Sequence, residues 1–357
     1  MATNAKQSTW VGAAGSAAYD FRSDVVTTPT VSMLAAITFC SLQDDAFRED
    51  DTTKELESHC AGLCGKEDAV FVLSRTMGNQ VALRSLLTQP PHSILCDHRS
   101  HIVNSEAGGL AILTSAMVTP VVPRNGLYLT LEDVQESFNP GGSLIGCPTR
   151  VISLENTLNG VIMPLEEVRK IAGFAQDHGA KMHCDGARLW EAVAAGAGSL
   201  TELTSCFDTV SLCFSKGLGA PVGSILVGDT DAIRVARHIK KAIGGVLRQP
   251  GLITAAARVA VDETFGKGPN GGTTKYPVDT NVVWINLKEV GISFARFNEI
   301  AHEEGLKTRG ERLIVHYQIW QNADDSLARL KRVFDRAWAE RGMSNMPSAN
   351  EANASVY

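Results

Sequence analysis

The chain has 357 residues, 44% of them hydrophobic and 20% charged, with a formal net charge of −6. That is enough apolar material for a large core, divided between two domains, and the negative balance argues against nucleic acid or an anionic membrane as partner. No apolar run approaches the ~18 to 20 residues that span a bilayer.

The opening stretch MATNAKQSTWVGAAGSAAYDFRSD is small and polar. It has no continuous apolar segment of the secretory kind and no arginine before Arg22, so neither a signal nor a transit peptide is expected. AVFVL (69–73) reads as a strand before a helix over Met77–Leu87, and SILCD (93–97) as a strand before a helix near Ser105–Leu110. RVISLEN (150–156) precedes LEEVRKIAGFAQDHG, where Val168, Ile171, Ala172 and Ala175 share one helical face. KMHCDGA (181–187), DTVSLCFS (208–215) and GSILVG (223–228) follow as strands. Strands alternating with helices predict a mostly parallel sheet with crossover helices. Ligands of such sheets gather outside the carboxyl ends of the strands, where Asp97, Glu155, Asp185 and Lys216 each close an apolar run. FGKGPNGGTTKYP (265–277) breaks the pattern. Beyond it NVVWINL, a helix near Phe297–Glu304, RLIVHYQI and a helix over Asp324–Ala339 suggest a small α+β domain, and SNMPSANEANASVY reads as a disordered tail.

Eight cysteines, at 40, 60, 64, 96, 147, 184, 206 and 213, are scattered, several inside apolar runs. Reduced, buried thiols in a cytoplasmic protein are the expectation. Cys60 and Cys64 stand one helical turn apart beside His59, but no second pair follows at zinc spacing, so no metal is expected.

SLCFSKGLGAPVGS sets Lys216 between an apolar run and a string of small residues. A surface lysine at a strand end is the plain explanation. The alternative is a partly desolvated lysine whose neutral amine forms a Schiff base, with a carbonyl substrate or with pyridoxal phosphate. Pyridoxal phosphate also needs an anion for its ring nitrogen, a phosphate cradle and a flat face over the ring. Asp185, ending the strand KMHCD, is either that anion or a helix cap. Ser74 and Thr76 in SRTMGNQ, with the first free amides of the following helix, form either an anion site or an ordinary N-cap. His101 in HRSHIVNSEAGG is placed to stack on a ring or to serve structure. Arg248 in GGVLRQPG, with Lys241 before it, suits a phosphate or water, and Arg312 on a late strand suits bidentate capture of a carboxylate.

DFRSDVVTTPT, DDAFREDDTTKELE, FVLSRTMGNQVAL, HRSHIVNSEAGG, ISLENTLNG, HCDGARLWEAV, FSKGLGAPVGS, GGVLRQPG and RLIVHYQ occur in this order. Together, over about residues 20 to 340, they resemble the threonine aldolase family of fold-type I pyridoxal phosphate enzymes. The resemblance implies an α/β fold of the aspartate aminotransferase type. A large, mostly parallel seven-stranded domain (20–265) would follow an N-terminal extension (1–19), with a small C-terminal α+β domain (266–342) and a tail (343–357) after it. It implies that Lys216 forms the Schiff base with pyridoxal 5′-phosphate, that Asp185 pairs with the ring nitrogen, and that His101 stacks on the ring and takes part in proton transfer. Ser74 and Thr76 would hold the phosphate, with Arg248 and Lys241 reaching it from a neighbouring subunit of a homodimer or homotetramer. Ser23, Arg188 and Arg312 would hold the substrate carboxylate.

Three features depart from the family pattern. Arg75 stands where glycine is usual between the serine and threonine of the phosphate loop, which implies either backbone strain or an added phosphate contact. Ile145 or Gly146 stands where many aldolases have a histidine that touches the substrate hydroxyl. The segment before TNVVWINL is short. The expected activity is cleavage of L-threonine, L-allo-threonine or another β-hydroxy-α-amino acid to glycine and an aldehyde. An amino acid (alanine) racemase is the alternative, since some fungal members of the group are alanine racemases supplying D-alanine to peptide natural products. A catalytically dead scaffold is the third reading.

Overall fold

The structure is a computed structural model that describes residues 17–265, 279–287 and 291–340. The segment 266–278, which holds the short stretch before TNVVWINL, lies outside the described residues, as do the tail and most of the N-terminal extension.

Seven strands form the main sheet: β1 (Asp68–Val72), β2 (Ser93–Asp97), β3 (Met117–Val121), β4 (Thr149–Glu155), β5 (Lys181–Gly186), β6 (Thr209–Cys213) and β7 (Ser224–Gly228). Their spatial order is β1-β7-β6-β5-β4-β2-β3. All neighbours are parallel except β7, which runs antiparallel to both β1 and β6. This is the mostly parallel α/β sheet expected from the sequence. β2, β6 and β7 are buried along their whole length, because helices cover both faces of the sheet. The outermost strand β3 is largely exposed and tolerates Pro120, whose missing N–H would break a ladder bond in an inner strand.

The register sets the chemistry. Glu155 of β4 lies opposite Asp185 of β5, and Asp185 opposite Ser211 of β6, so two carboxylates end neighbouring strands side by side. The helix expected over Met77–Leu87 spans Arg75–Leu86, capped by the Ser74 hydroxyl, which accepts from the Met77 amide at 3.1 Å. The face expected on the Leu165–Asp177 helix is present, with Val168, Ile171 and Ala175 buried. The helix expected near Ser105–Leu110 is instead two short helices, His101–Asn104 and Gly109–Thr114. Ala107 and Gly108 adopt positive φ between them. The break lets Glu106 turn inward to His101 and Asn79.

A second sheet pairs β8 (Val282–Trp284) with β9 (Arg312–Ile314), antiparallel. Helices Phe294–Glu303 and Ala323–Ala339 pack with it around Phe297, Ile300, Leu313 and Val333. Phe21 is buried in this second core. Its amide donates to the Lys307 carbonyl at 2.8 Å and its carbonyl accepts from Ile314 at 2.9 Å. The chain then crosses to the large sheet. Asp24 meets Arg188, and the Thr27 hydroxyl donates to the Lys216 carbonyl at 3.1 Å. Thr28 is held by Gln318. This strap joins the two cores directly beside Lys216.

Candidate active site

Lys216 follows β6 and is half-buried. Among the described residues its ammonium has neither a hydrogen bond nor an ion pair. Burial, followed by the nearby Arg75 and Arg188 guanidinium groups, lowers its pKa to about 8 from the usual 10.5. With this pKa roughly a tenth to a fifth of the amine is neutral near physiological pH, and the neutral form is the one that attacks a carbonyl.

Asp185 is buried one strand away. Burial alone would raise its pKa, but Arg75 outweighs this and holds the carboxyl below its ordinary value. Arg75 Nη1 donates to Asp185 Oδ2 at 2.6 Å and lies 3.8 Å from Glu155 Oε1. Asn79 Nδ2 donates to the same Asp185 oxygen at 2.7 Å and to Glu106 Oε1 at 2.9 Å. His183 fixes that amide's orientation. It is fully buried, and burial drops its pKa to about 4, so it is neutral. Its Nε2 faces Asn79 Oδ1 at 3.2 Å and its Nδ1 faces the Thr209 hydroxyl. Asn79 Oδ1 can only accept, so His183 carries its proton on Nε2 and the Asn79 amide nitrogen is left facing the carboxylates.

His101 opens the short helix His101–Asn104. Its Nδ1 is 2.9 Å from Glu106 Oε1 and its backbone amide donates to Glu155 Oε2 at 2.8 Å, so the residue is held through both its ring and its backbone. Glu155 is pushed up to about 7, first by burial and then by neighbouring Asp185. His101, Glu106 and Asp185 offer ligand atoms within 4.8 Å of one another. Asn79 and Arg75 already occupy the carboxylate oxygens of that group.

On the other side of Lys216, Arg188 forms a fork onto Asp24. Nε donates to Oδ2 at 2.8 Å and Nη2 to Oδ1 at 2.7 Å. Burial opposes the Asp24 charge, yet Arg188 holds this carboxyl far below the usual range. Arg188 was expected on a substrate carboxylate. In this structure its fork is spent on Asp24, because a buried carboxylate three residues past the Phe21 anchor needs a counter-ion. Ser23 is the N-cap beside it, its hydroxyl 3.4 Å from Asp24 Oδ1. Arg312 on β9 has no ion-pair partner among the described residues. Its pKa is lowered by burial and by the neighbouring Arg188. It is therefore the guanidinium open to an incoming carboxylate. Glu191 completes this side: burial, then Asp24, raises its carboxyl to about 7, and Oε2 is buried without a partner.

Ser74 is exposed and Thr76 half-buried at the N-terminus of the Arg75–Leu86 helix, whose first amides have no intrahelical acceptor. Arg248 and Lys241 are not brought to the cluster. Arg248 is 71% exposed and pairs with Asp44 at 2.8 Å, and Lys241 is exposed. Both readings of Arg75 need correction. Its backbone does not have positive φ, so it is not strained, and its guanidinium points to Asp185 rather than outward to the phosphate loop. The dead-scaffold reading draws on Arg75 and on the short segment before TNVVWINL; the strain at Arg75 is absent, and the short segment lies outside the described residues. Ile145 is 98% exposed and brings no polar group to the cluster. All eight cysteines are free.

Sequence reasoning missed Asp24, Asn79, Glu106, His183 and Glu191 as members of the site. Only Glu155 carried a signal, as a carboxylate closing an apolar run.

A family model described as beta-eliminating lyase matches residues 20–271. The chain is 51% identical to aldolase vrtJ of Penicillium aethiopicum over 334 residues, which cover 89% of this chain and 85% of the relative. It is 42% identical to alanine racemase TOXG of Cochliobolus carbonum, over 86% of this chain and 85% of the relative. It is 42% identical to the low-specificity L-threonine aldolase of Eremothecium gossypii, over 90% and 88%. Among solved structures, the threonine aldolase of Leishmania major superposes with a TM-score of 0.72 over 88% of this chain and 99% of that one, at 17% identity, a likeness of fold. A lysine and an aspartate at adjoining strand ends, inside a stretch matched from residue 20 to 271 and at 51% and 42% identity to curated aldolases, place the protein in the beta-eliminating lyase family, on its threonine aldolase side.

Proposed function

We infer that the protein is a pyridoxal 5′-phosphate-dependent aldolase that cleaves threonine-like β-hydroxy-α-amino acids to glycine and an aldehyde. The observation that carries this reading is the partnerless, half-buried Lys216 amine, with its pKa lowered to about 8, one strand from a buried anionic Asp185. That donor set fits the cofactor: an amine for its aldehyde, a carboxylate for its ring nitrogen, and free helix amides with Ser74 and Thr76 for its phosphate. When bound, the cofactor supplies a carbonyl for condensation with amines and a ring that draws electrons from the substrate Cα.

The chain's own residues do the rest. Lys216, whose lowered pKa makes the neutral amine far more accessible than in an ordinary lysine, is the nucleophile and later a base of matched pKa. Asp185 stays ionised and, steered by Asn79, presents a fixed acceptor at the ring nitrogen. His101, held through Nδ1 by Glu106, is poised to move the proton of the substrate β-hydroxyl as the Cα–Cβ bond breaks. Arg312 captures the substrate carboxylate in a fork, and Arg188 keeps Asp24 and the strap in place beside it. We place Arg248 and Lys241 against the phosphate of a neighbouring copy in a homodimer or homotetramer, since both are exposed on their own chain. No helix among the described residues is long and apolar enough to cross a membrane. Eight free cysteines favour a reducing compartment, and the cytoplasm is the proposed location.

Alanine racemisation is the second reading, favoured by Ile145 in the loop where many aldolases carry a histidine. Incubation with L-threonine, L-allo-threonine and L-alanine separates the two. Acetaldehyde and glycine in equal amounts support the aldolase. D-alanine without acetaldehyde means the racemase.

A further inference from the structure

Arg75 is the residue in this site with no counterpart in the expected pattern, and its surroundings assign it a role. It stands between Ser74 and Thr76 at the start of the Arg75–Leu86 helix, yet its side chain runs inward and is only 7% exposed. Its guanidinium lies between the carboxylates of two adjacent strands, 2.6 Å from Asp185 and 3.8 Å from Glu155. Withdrawing it would leave those two carboxylates side by side in a buried place without the guanidinium that pairs with them, offset only in part by the charge of Lys216, which is costly.

A carboxylate offers about four lone-pair positions. On Asp185, Oδ2 accepts from Arg75 and Asn79, and Oδ1 accepts from the Ala187 amide at 3.2 Å. One position on Oδ1 is left for a further donor. Arg75 and a protonated ring nitrogen can therefore share the carboxylate, but two cationic donors on one anion repel each other. The carboxylate is also a poorer proton acceptor with a guanidinium attached.

We propose that Arg75 remains on Asp185 when the cofactor is bound and holds the ring nitrogen in a less readily protonated state than Asp185 alone would give. The proposal rests on the pyridoxal phosphate reading above. In this role Arg75 is a positioning residue that acts through Asp185. It weakens the electron withdrawal available at the substrate Cα and so limits side reactions that need the strongest withdrawal.

The test uses holoenzyme loaded with cofactor carrying ¹⁵N in its ring, with the nitrogen chemical shift followed against pH. In Arg75→Met the ring nitrogen should bind its proton about tenfold or more tightly than in wild type, the effect of removing one like charge at this range. Arg75→Lys, which keeps the cation, should stay near wild type. Arg75→Gln keeps a donor toward Oδ2 without charge and should follow Arg75→Met, which secures the comparison if the methionine variant fails to fold. Superimposable titrations for wild type and both neutral variants overturn the proposal, as does a wild-type nitrogen that is fully protonated across the pH range. Tighter cofactor binding in the neutral variants with an unchanged nitrogen titration also overturns it, because Arg75 would then merely compete with the ring. A wild-type protein that binds no cofactor at all fails the underlying reading instead.

Discussion

Asp24→Asn tests the electrostatic strap directly. Asparagine keeps the shape but offers one acceptor oxygen in place of two, and it turns an amide donor toward the Arg188 fork. One of the two bonds, at 2.8 and 2.7 Å, is lost and the other weakens from an ion-pair bond to one between a guanidinium and a neutral amide oxygen. Hydrogen bonds to charged groups contribute about 1.5 to 3 kcal/mol and neutral ones about 0.5 to 1.5. Breaking a fully buried ion pair costs about 3 to 5 kcal/mol. Asp24 is fully buried but the Arg188 side chain keeps 15% exposure, so water relieves part of the loss. We expect a destabilisation of about 2 to 4 kcal/mol. For a 357-residue chain the unfolding entropy is about 0.75 kcal/mol/K, so Tm should fall by roughly 3 to 5 °C in calorimetry. Because the Asp24 carboxyl is held far below its unfolded value, its stabilisation is fully present above that value. The gap between variant and wild type should persist at pH 7 and close only as pH falls below about 4. A double-mutant cycle with Arg188→Met isolates the pair. The double variant should be more stable than the sum of the single losses predicts, since neither charge is then stranded. Additive losses, or a wild-type Tm for Asp24→Asn, would refute the account of the strap.

Arg312→Lys should keep the cofactor spectrum and lose kcat/KM by about tenfold to a hundredfold with every amino acid tested, because the carboxylate fork is common to all of them. An intact spectrum with unchanged kcat/KM removes Arg312 from the site. In the cofactor-free protein, reductive trapping of Lys216 with a small aldehyde should rise with pH to a midpoint near 8, the value set by burial and the flanking guanidinium groups, and Lys216→Ala should abolish it. A midpoint near the ordinary 10.5 would mean the amine is solvated and the site electrostatics are misread.

What the sequence made legible follows from burial. Strands covered on both faces are continuous apolar runs, so β2, β4, β6 and β7 stand out, as do the polar residues that end them. Asp185 and Lys216 were visible for that reason. Arg312 was visible because an arginine on a late, short strand suits bidentate capture of a carboxylate. What escaped notice were partnerships across long separations. Arg188 and Asp24 are 164 positions apart, and nothing local to either announces the other. Asn79 reaches Asp185 across 106 positions, and Arg75 across 110. Glu106 was hidden inside what read as one helix until the left-handed residues Ala107 and Gly108 broke it. The direction of the Arg75 side chain was undecidable for a further reason. At the first position of a helix, an arginine can lie over the loop or run back along the sheet. The choice depends on whether an uncompensated anion waits there. Here two do, because the parallel register of β4 and β5 sets Glu155 beside Asp185. The register therefore creates the demand for a cation, and Arg75, an arginine where the family resemblance leads one to expect a glycine, is the group that meets it. The same residue would read as an error in the motif if the register were not known.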